Sequence, residues 1–256
     1  MFAATDTPDI AALWDALRAH TRGAAMPAVP PHLADFAALY LPIAAPSRTP
    51  FVMAQLGQSL DGYIATYSGA SHYVTGPESL VHLHRLRALC DAVVVGWRTI
   101  AADDPLLTVR RVTGENPLRV IIDIAGRLPA RHRAFANSAP GALRLTGPNI
   151  PPLDGVESVG LPLDGNRYRP EDVVAVLAAR GCRRILVEGG GITVSNFLAA
   201  GALTRLHVVV APLIIGEGKR GLALPGVNSL NDALRPPNRH YAMGADILFD
   251  LDLGGR

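Results

Sequence analysis

Ile185-Leu186-Val187-Glu188-Gly189-Gly190-Gly191-Ile192-Thr193-Val194-Ser195 is the stretch whose reading decides the fold. Its apolar start reads as a short buried β-strand and its three glycines as a tight turn. The following residues read as a helix whose first turn carries the hydroxyls of Thr193 and Ser195. A strand that runs through glycines into a helix is the unit of an α/β protein. Glycines let the backbone approach a pyrophosphate, and the first amides and positive dipole end of a helix hold its charge. The third glycine of a G-x-G-x-x-G fingerprint would fall on Val194, and the lysine of a P-loop is missing. Two readings stay open for this segment alone: a cradle for a phosphate-bearing ligand, or simply a tight strand-to-helix turn.

On either side of this stretch, strand and helix patterns alternate from Phe51 onward. Phe51–Leu56 is apolar and bounded by Gly57, and Pro77–Cys90 carries Leu80, Leu83, Leu86 and Cys90 at helical spacing. Ala92–Val95 and Arg119–Ile124 are β-branched runs, and Pro170–Arg180 begins with proline and ends before Gly181, as a helix does. Leu206–Ile215 and Asp246–Leu253 read as further strands. In the latter, Ile247, Phe249, Leu251 and Leu253 alternate with Asp246, Leu248, Asp250 and Asp252, the pattern of an edge or antiparallel strand. The order implies a mostly parallel sheet with an antiparallel C-terminal end. Residues 1–48 differ: a helix from Pro8 to Ala19, a proline-stiffened connector (Met26–His32) and a second short helix, Leu33–Leu41, ending at Pro42. They read as an appendage packing on residues 49–256 or on a second subunit.

Hydrophobic residues make up 49% of the 256 and charged residues 18%, which provides for a large core and argues against a disordered chain. The net charge of +2, the scarcity of aromatics and the shortness of the basic clusters (Arg131-His132-Arg133, Arg183-Arg184) argue against nucleic acid as a partner. No apolar run reaches membrane-spanning length, and no secretory leader pattern is visible. Cys90 and Cys182, far apart, favour a reducing cytoplasm over a disulfide framework. The eight histidines are scattered; His82 and His84 point to different faces of one helix, so no metal site is expected.

Two further motifs carry candidate chemistry. In Val93-Val94-Val95-Gly96-Trp97-Arg98-Thr99, a strand again ends in glycine; Thr99 reads as a phosphate ligand or helix cap, and Arg98 offers a planar donor set suited to a 2′-phosphate. Asp103-Asp104 before Pro105 reads as a ribose-hydroxyl acceptor or as turn formers; adjacent residues point apart, which disfavours a shared-proton dyad. Ser59-Leu60-Asp61-Gly62 is a turn signal, and Ser71 and Tyr73 are polar groups of the loop after it.

Taken together, SLDG (59–62), GASHYVT (69–75), TIAADDPLLTVR (99–110), PLRVIID (117–123) and LVEGGG (186–191) closely resemble, in order, the reductase domain of bacterial riboflavin biosynthesis proteins. The resemblance runs from about Phe51 to Leu253. It implies a dihydrofolate-reductase-like α/β fold with helices on both faces of the sheet, NADPH as cofactor and a phosphorylated small-molecule substrate. Gly96-Trp97-Arg98-Thr99 is similar to the NADPH-binding turn of dihydrofolate reductases. By this similarity Gln58, Tyr73, Gly96, Arg98, Thr99 and Asp103 would touch NADPH, and Gly190, Gly191, Ile192, Thr193, Val194, Ser195 and Asn196 would wrap its pyrophosphate. Ser71, Arg87, Leu107, Arg110 and Glu188 would face the substrate. The implied reaction reduces a ribosylamino group on a uracil to ribitylamino, hydride passing from nicotinamide to C1′ of the sugar, by an enzyme that commonly forms homodimers. The resemblance designates no catalytic acid.

The zinc-deaminase motifs H-x-E and P-C-x-x-C, which relatives often carry in a fused domain, do not occur here, so deamination is expected to belong to another protein. Gln55 stands where many relatives have lysine. These departures keep three alternatives in view: a reductase acting before deamination on the diaminopyrimidinone, a paralogous NADPH reductase of a pterin-like or carbonyl substrate, and a non-enzymatic NADPH-binding regulator.

Overall fold

The computed structural model describes residues 6–72, 74–136 and 139–254. The helices are α1 (Pro8–His20), α2 (Ala34–Ala44), α3 (Pro77–Leu89), α4 (Trp97–Asp103), α5 (Pro170–Ala179) and α6 (Gly191–Ala199). The strands are β1 (Phe51–Ser59), β2 (Tyr63–Thr66), β3 (Ala92–Gly96), β4 (Leu118–Ile122), β5 (Ala142–Thr146), β6 (Glu157–Gly160), β7 (Leu163–Asp164), β8 (Arg167–Tyr168), β9 (Arg184–Glu188), β10 (Arg205–Ala211), β11 (Gly218–Arg220), β12 (Asn238–Met243) and β13 (Asp246–Asp252). Among the described residues, nine strands form one sheet in the order β12-β13-β10-β1-β9-β3-β4-β5-β6. Neighbours from β10 to β6 pair in parallel, while β13 runs antiparallel to both β10 and β12. This is the expected mostly parallel sheet with an antiparallel C-terminal end, although the edge is β12, a strand that its polar residues conceal.

Two apolar layers sandwich the sheet. Met53, Val93, Val95, Ile121 and Leu186 point to one face, where they pack with residues of α1, α2 and α3. Val52, Ala54, Val94, Val120 and Ile185 point to the other, against α5 and α6. Strand alternation explains the division, since successive side chains leave a strand on opposite faces. The first helices are thus continuous with the core: Leu17, Leu39, Tyr40 and Ile43 are fully buried. Helix α2 does not stop at Pro42 but runs through it to Ala44. A proline this close to the C-terminus forfeits one backbone bond, and the extra turn buries Ile43 and Ala44.

Helix α3 departs from its simple apolar pattern. Leu80 and Leu83 line an open cleft, while His82, His84, Arg85 and Arg87 are buried. On the same side of the sheet, Glu188, Gln55, His207 and Asp250 lie in one register line across β9, β1, β10 and β13. All four are buried. Strand β13 buries the face that carries Asp246, Leu248 and Asp250, and leaves Ile247 and Phe249 outward at 45% and 37% exposure. Both cysteines are free and buried, and no helix among the described residues is long and apolar enough to cross a membrane.

Candidate active site

The C-terminal ends of β1, β3, β4 and β9 open into a single cleft of about 1940 Å³. A crevice outside the carboxyl ends of parallel strands is where open α/β sheets bind ligands. The volume is large enough for a dinucleotide and a second small molecule side by side.

Each glycine of the turn between β9 and α6 does a different job. Gly189 adopts φ +104, a conformation that a side chain resists. A Cβ on Gly191 would stand 2.1 Å from the Gly221 carbonyl oxygen and 2.4 Å from that of Arg220, so the chain after β11 braces the turn from behind. Gly190 faces the cleft, and its N–H donates to Thr99 Oγ1 at 2.9 Å. Thr99 therefore joins the two glycine turns, and α4 has no side-chain cap. Gly96 packs closely on α6, since a Cβ there would meet Thr193 Oγ1 at 2.5 Å and displace that hydroxyl.

Beyond Thr99, the guanidinium carbons of Arg98 and Arg127 each lie 4.8 Å from the centre of the Trp97 ring. Two cations over one indole at the cleft wall offer donors to an anion while their charge rests on a π-face. Arg127 follows the Gly126 turn after β4; no motif pointed to it.

At the other end of the cleft, Arg87 from α3 pairs with Glu188 from β9: its Nε donates to Oε2 at 2.8 Å and a second N–H donates to Oε1. Its remaining arm donates to the Thr108 carbonyl at 3.0 Å. Arg87 is thus engaged within the protein. Arg110 lies beside it, donating to Thr108 Oγ1 at 2.6 Å, and its backbone N–H donates to His84 Nδ1 at 2.9 Å. Burial and the neighbouring guanidiniums of Arg87, Arg133 and Arg111 lower the Arg110 pKa. Burial and the same arginine neighbourhood hold His84 at about 3, as a neutral imidazole. Arg111 and Arg133 also line the cleft; sequence reading noticed Arg133 only as part of a short basic cluster. The loop carrying Arg110 is bent through two left-handed residues, Asp104 at φ 39 and the buried Leu107 at φ 56. Backbone strain of this kind collects at ligand sites.

Asp103 and Asp104 do point apart. Asp103 receives the Ser71 hydroxyl at 3.4 Å, whereas Asp104 accepts the Arg133 backbone N–H at 2.8 Å and contacts His132. Asp61 is an anchor: Ser59 Oγ donates to it at 2.5 Å and the amides of Ile215 and Gly216 also donate, which together hold its carboxyl at about 2.

Of the residues singled out from sequence, Ser71, Arg87, Gly96, Arg98, Thr99, Asp103, Leu107, Arg110, Glu188, Gly190, Gly191, Ile192, Thr193 and Asn196 all line the cleft. Three do not. The Val194 side chain points into the core against the sheet, and Ser195 Oγ accepts the Ala223 N–H at 2.9 Å. Helical periodicity explains this, because Ile192, Thr193 and Asn196 share the cleft side and the residues between them turn inward. Gln58 lies against Gly221, with Oε1 2.4 Å from where that glycine's Cβ would be, rather than in the cleft. Tyr73 lies outside the described residues. No cluster of three metal-ligating side chains occurs among the described residues.

A strand–glycine–helix turn and a cluster of arginines thus share one cleft at the carboxyl ends of the parallel strands, the arrangement of an α/β enzyme site. The family model described as the RibD C-terminal domain matches residues 50–249, and the chain belongs to that family. It is 33% identical over 225 residues, 80% of this chain and 99% of the relative, to the 2,5-diamino-6-ribosylamino-4(3H)-pyrimidinone 5′-phosphate reductase of Methanothermobacter thermautotrophicus. It is 32% identical over 214 residues to the riboflavin biosynthesis protein RibD of a Synechocystis species, covering 79% of this chain and 56% of the relative. The chain thus spans about half the length of the RibD proteins it matches. Among solved structures, the diaminohydroxyphosphoribosylaminopyrimidine deaminase/5-amino-6-(5-phosphoribosylamino)uracil reductase of Thermotoga maritima superposes with a TM-score of 0.68. That match has 26% identity and covers 80% of this chain and 57% of the other. These relatives are riboflavin-pathway reductases.

Proposed function

We propose that this chain reduces the ribosylamino group of 5-amino-6-(5-phosphoribosylamino)uracil to ribitylamino with NADPH. The observation that carries the reading is the single cleft joining the Gly189–Gly191 turn to the guanidiniums around Arg110. The residues suit the dinucleotide: Gly190 leaves room for a pyrophosphate at the start of α6, and Arg98 and Arg127 over Trp97 suit a 2′-phosphate. Gly96, Thr99, Asp103, Gly191, Ile192, Thr193 and Asn196 complete that half of the site. When bound, the dinucleotide supplies the hydride. Ser71, Leu107 and Arg110 hold the substrate, with the 5-phosphate at Arg110, and the Arg87–Glu188 pair forms the polar floor beneath the sugar. The chain's contribution is positioning and exclusion of water.

A second reading is favoured by one observation, the match across 99% of an archaeal relative named for the diaminopyrimidinone phosphate. Assaying NADPH oxidation with each phosphorylated pyrimidine tests both. Turnover of the uracil compound supports the first reading and preference for the pyrimidinone the second. Tight NADPH binding without oxidation of either would leave a regulator or paralogue. We also infer a homodimer, supported by the outward apolar side chains of Ile247 and Phe249 on β13 and of Leu213 and Ile214 just beyond β10.

A further inference from the structure

The N-terminal helices lie outside the residues matched by the family model, yet they grip the two elements that carry the arginines of the substrate half. The first grip is on α3. Tyr40 of α2 contacts His82 Nδ1 through its hydroxyl at 2.8 Å, and Arg85, a buried cation on α3, pairs with Asp6 ahead of α1. The Arg85 guanidinium lies 4.9 Å from the Phe36 ring centre and 5.8 Å from that of Tyr40. The second grip is on the loop between α4 and β4. The Trp14 indole N–H of α1 donates to the Thr113 carbonyl at 2.8 Å, across 99 residues of sequence. Arg22 pairs with Glu115 of the same loop. On its other side the loop is pressed onto α3, where a Cβ on Gly114 would meet Ala88 Cβ at 2.4 Å. Arg110 belongs to this loop, and its amide is held by His84 of α3. Arg87 follows His84 by one turn and reaches back to the loop at Thr108.

We propose that α1 and α2 are a clamp that holds α3 and the 107–117 loop together, so that Trp14 and Tyr40 are positioning residues for Arg87 and Arg110. The orientation is set through one partly buried indole bond and one buried tyrosine–histidine bond, and neither group reaches the cleft. The consequence for substrate binding rests on the proposed activity, in which Arg110 holds the substrate phosphate; the mechanical coupling does not.

The test compares the full chain with its Trp14→Phe and Tyr40→Phe variants, which keep the rings and remove the polar atoms. Hydrogen exchange is read at the Arg110 amide and at amides of α6, NADPH affinity by fluorescence, and the substrate KM and kcat with the phosphorylated pyrimidine. For Trp14→Phe, Arg110 exchange should rise about fivefold and KM should rise by a similar factor, the worth of one net hydrogen bond. Exchange in α6, NADPH affinity and kcat should stay within about twofold of the parent. Equal changes in both halves, or none at Arg110, would overturn the clamp. If Trp14→Phe does not fold, Tyr40→Phe decides by the same split. A parent that turns over neither pyrimidine overturns the activity, while exchange at Arg110 still decides the clamp.

Discussion

At the scale of single residues, the three glycines after β9 separate two kinds of necessity. Gly190→Val should still fold, because its Cβ meets only the Thr99 hydroxyl, at 3.1 Å, which must give way slightly, yet weaken binding of the proposed NADPH about tenfold or more by filling the pyrophosphate's approach. Gly191→Ala should instead lower the melting temperature, since a Cβ there drives into the backbone of Arg220 and Gly221. Titrating both variants with NADPH and melting them would expose an error if the two effects were exchanged. Thr99→Val should resemble Gly190→Val with a milder loss, leaving the Gly190 amide without its acceptor. Removing one member of the buried Arg87–Glu188 pair leaves the other charge alone, so Arg87→Met should cost about 3–5 kcal/mol in urea unfolding. A midpoint like the parent's would mean that solvent reaches Glu188. The lining of the candidate cleft was legible where a motif names a backbone requirement, as at Gly189–Gly191. It was illegible at Arg111, Arg127 and Arg133, because nothing local records that separate loops converge on one cleft. Val194 and Ser195 show the opposite failure, in which a contiguous motif was read as contacting ligand throughout although a helix turns half of its residues away.

At the scale of elements, the polar chain from α2 to β13 sets an expectation for pH. Tyr40 Oη, His82 and His207 are linked at 2.8 and 3.1 Å, and His207 Nε2 meets Asp250 Oδ1 at 3.1 Å. Every link is satisfied if the tyrosine donates to His82 and each neutral imidazole passes one N–H onward. Burial lowers the pKa of both histidines; for Asp250, burial is outweighed by His207 and Arg205, which hold the carboxyl at about 2. The unfolded chain accepts protons on these imidazoles near pH 6.5, where the folded chain refuses them. Stability should therefore be fullest above about pH 6.5 and fall as the pH drops toward about 5. His84, held at about 3 in the folded chain, acts in the same direction. Urea midpoints that stay level across that interval would show the imidazoles already protonated in the fold. This chain could not be read from the sequence, which places Tyr40, His82, His207 and Asp250 far apart and shows α3 only as an apolar stripe.

At the scale of the whole molecule, strand and helix order was legible because buried parallel strands are short apolar runs closed by glycine, as at Ala92–Gly96 and Arg184–Glu188. β12 was not, because at an exposed edge its sequence, Asn238-Arg239-His240-Tyr241-Ala242-Met243, carries little apolar signal. If the outward face of β13 is a dimer contact, Phe249→Lys should give a folded monomer by sedimentation at concentrations where the parent is a dimer. A parent that sediments as a monomer would remove the inference. The line of Glu188, Gln55, His207 and Asp250 has a consequence for assembly itself. Strands rich in valine, leucine and isoleucine can align with one another in several ways that bury apolar surface almost equally well. A slip of β1 by one residue would turn Gln55 into the dry layer beneath α5 and α6 and set an apolar side chain between Glu188 and His207. The four polar groups therefore act as an alignment key, penalising near-miss pairings that hydrophobicity alone would tolerate.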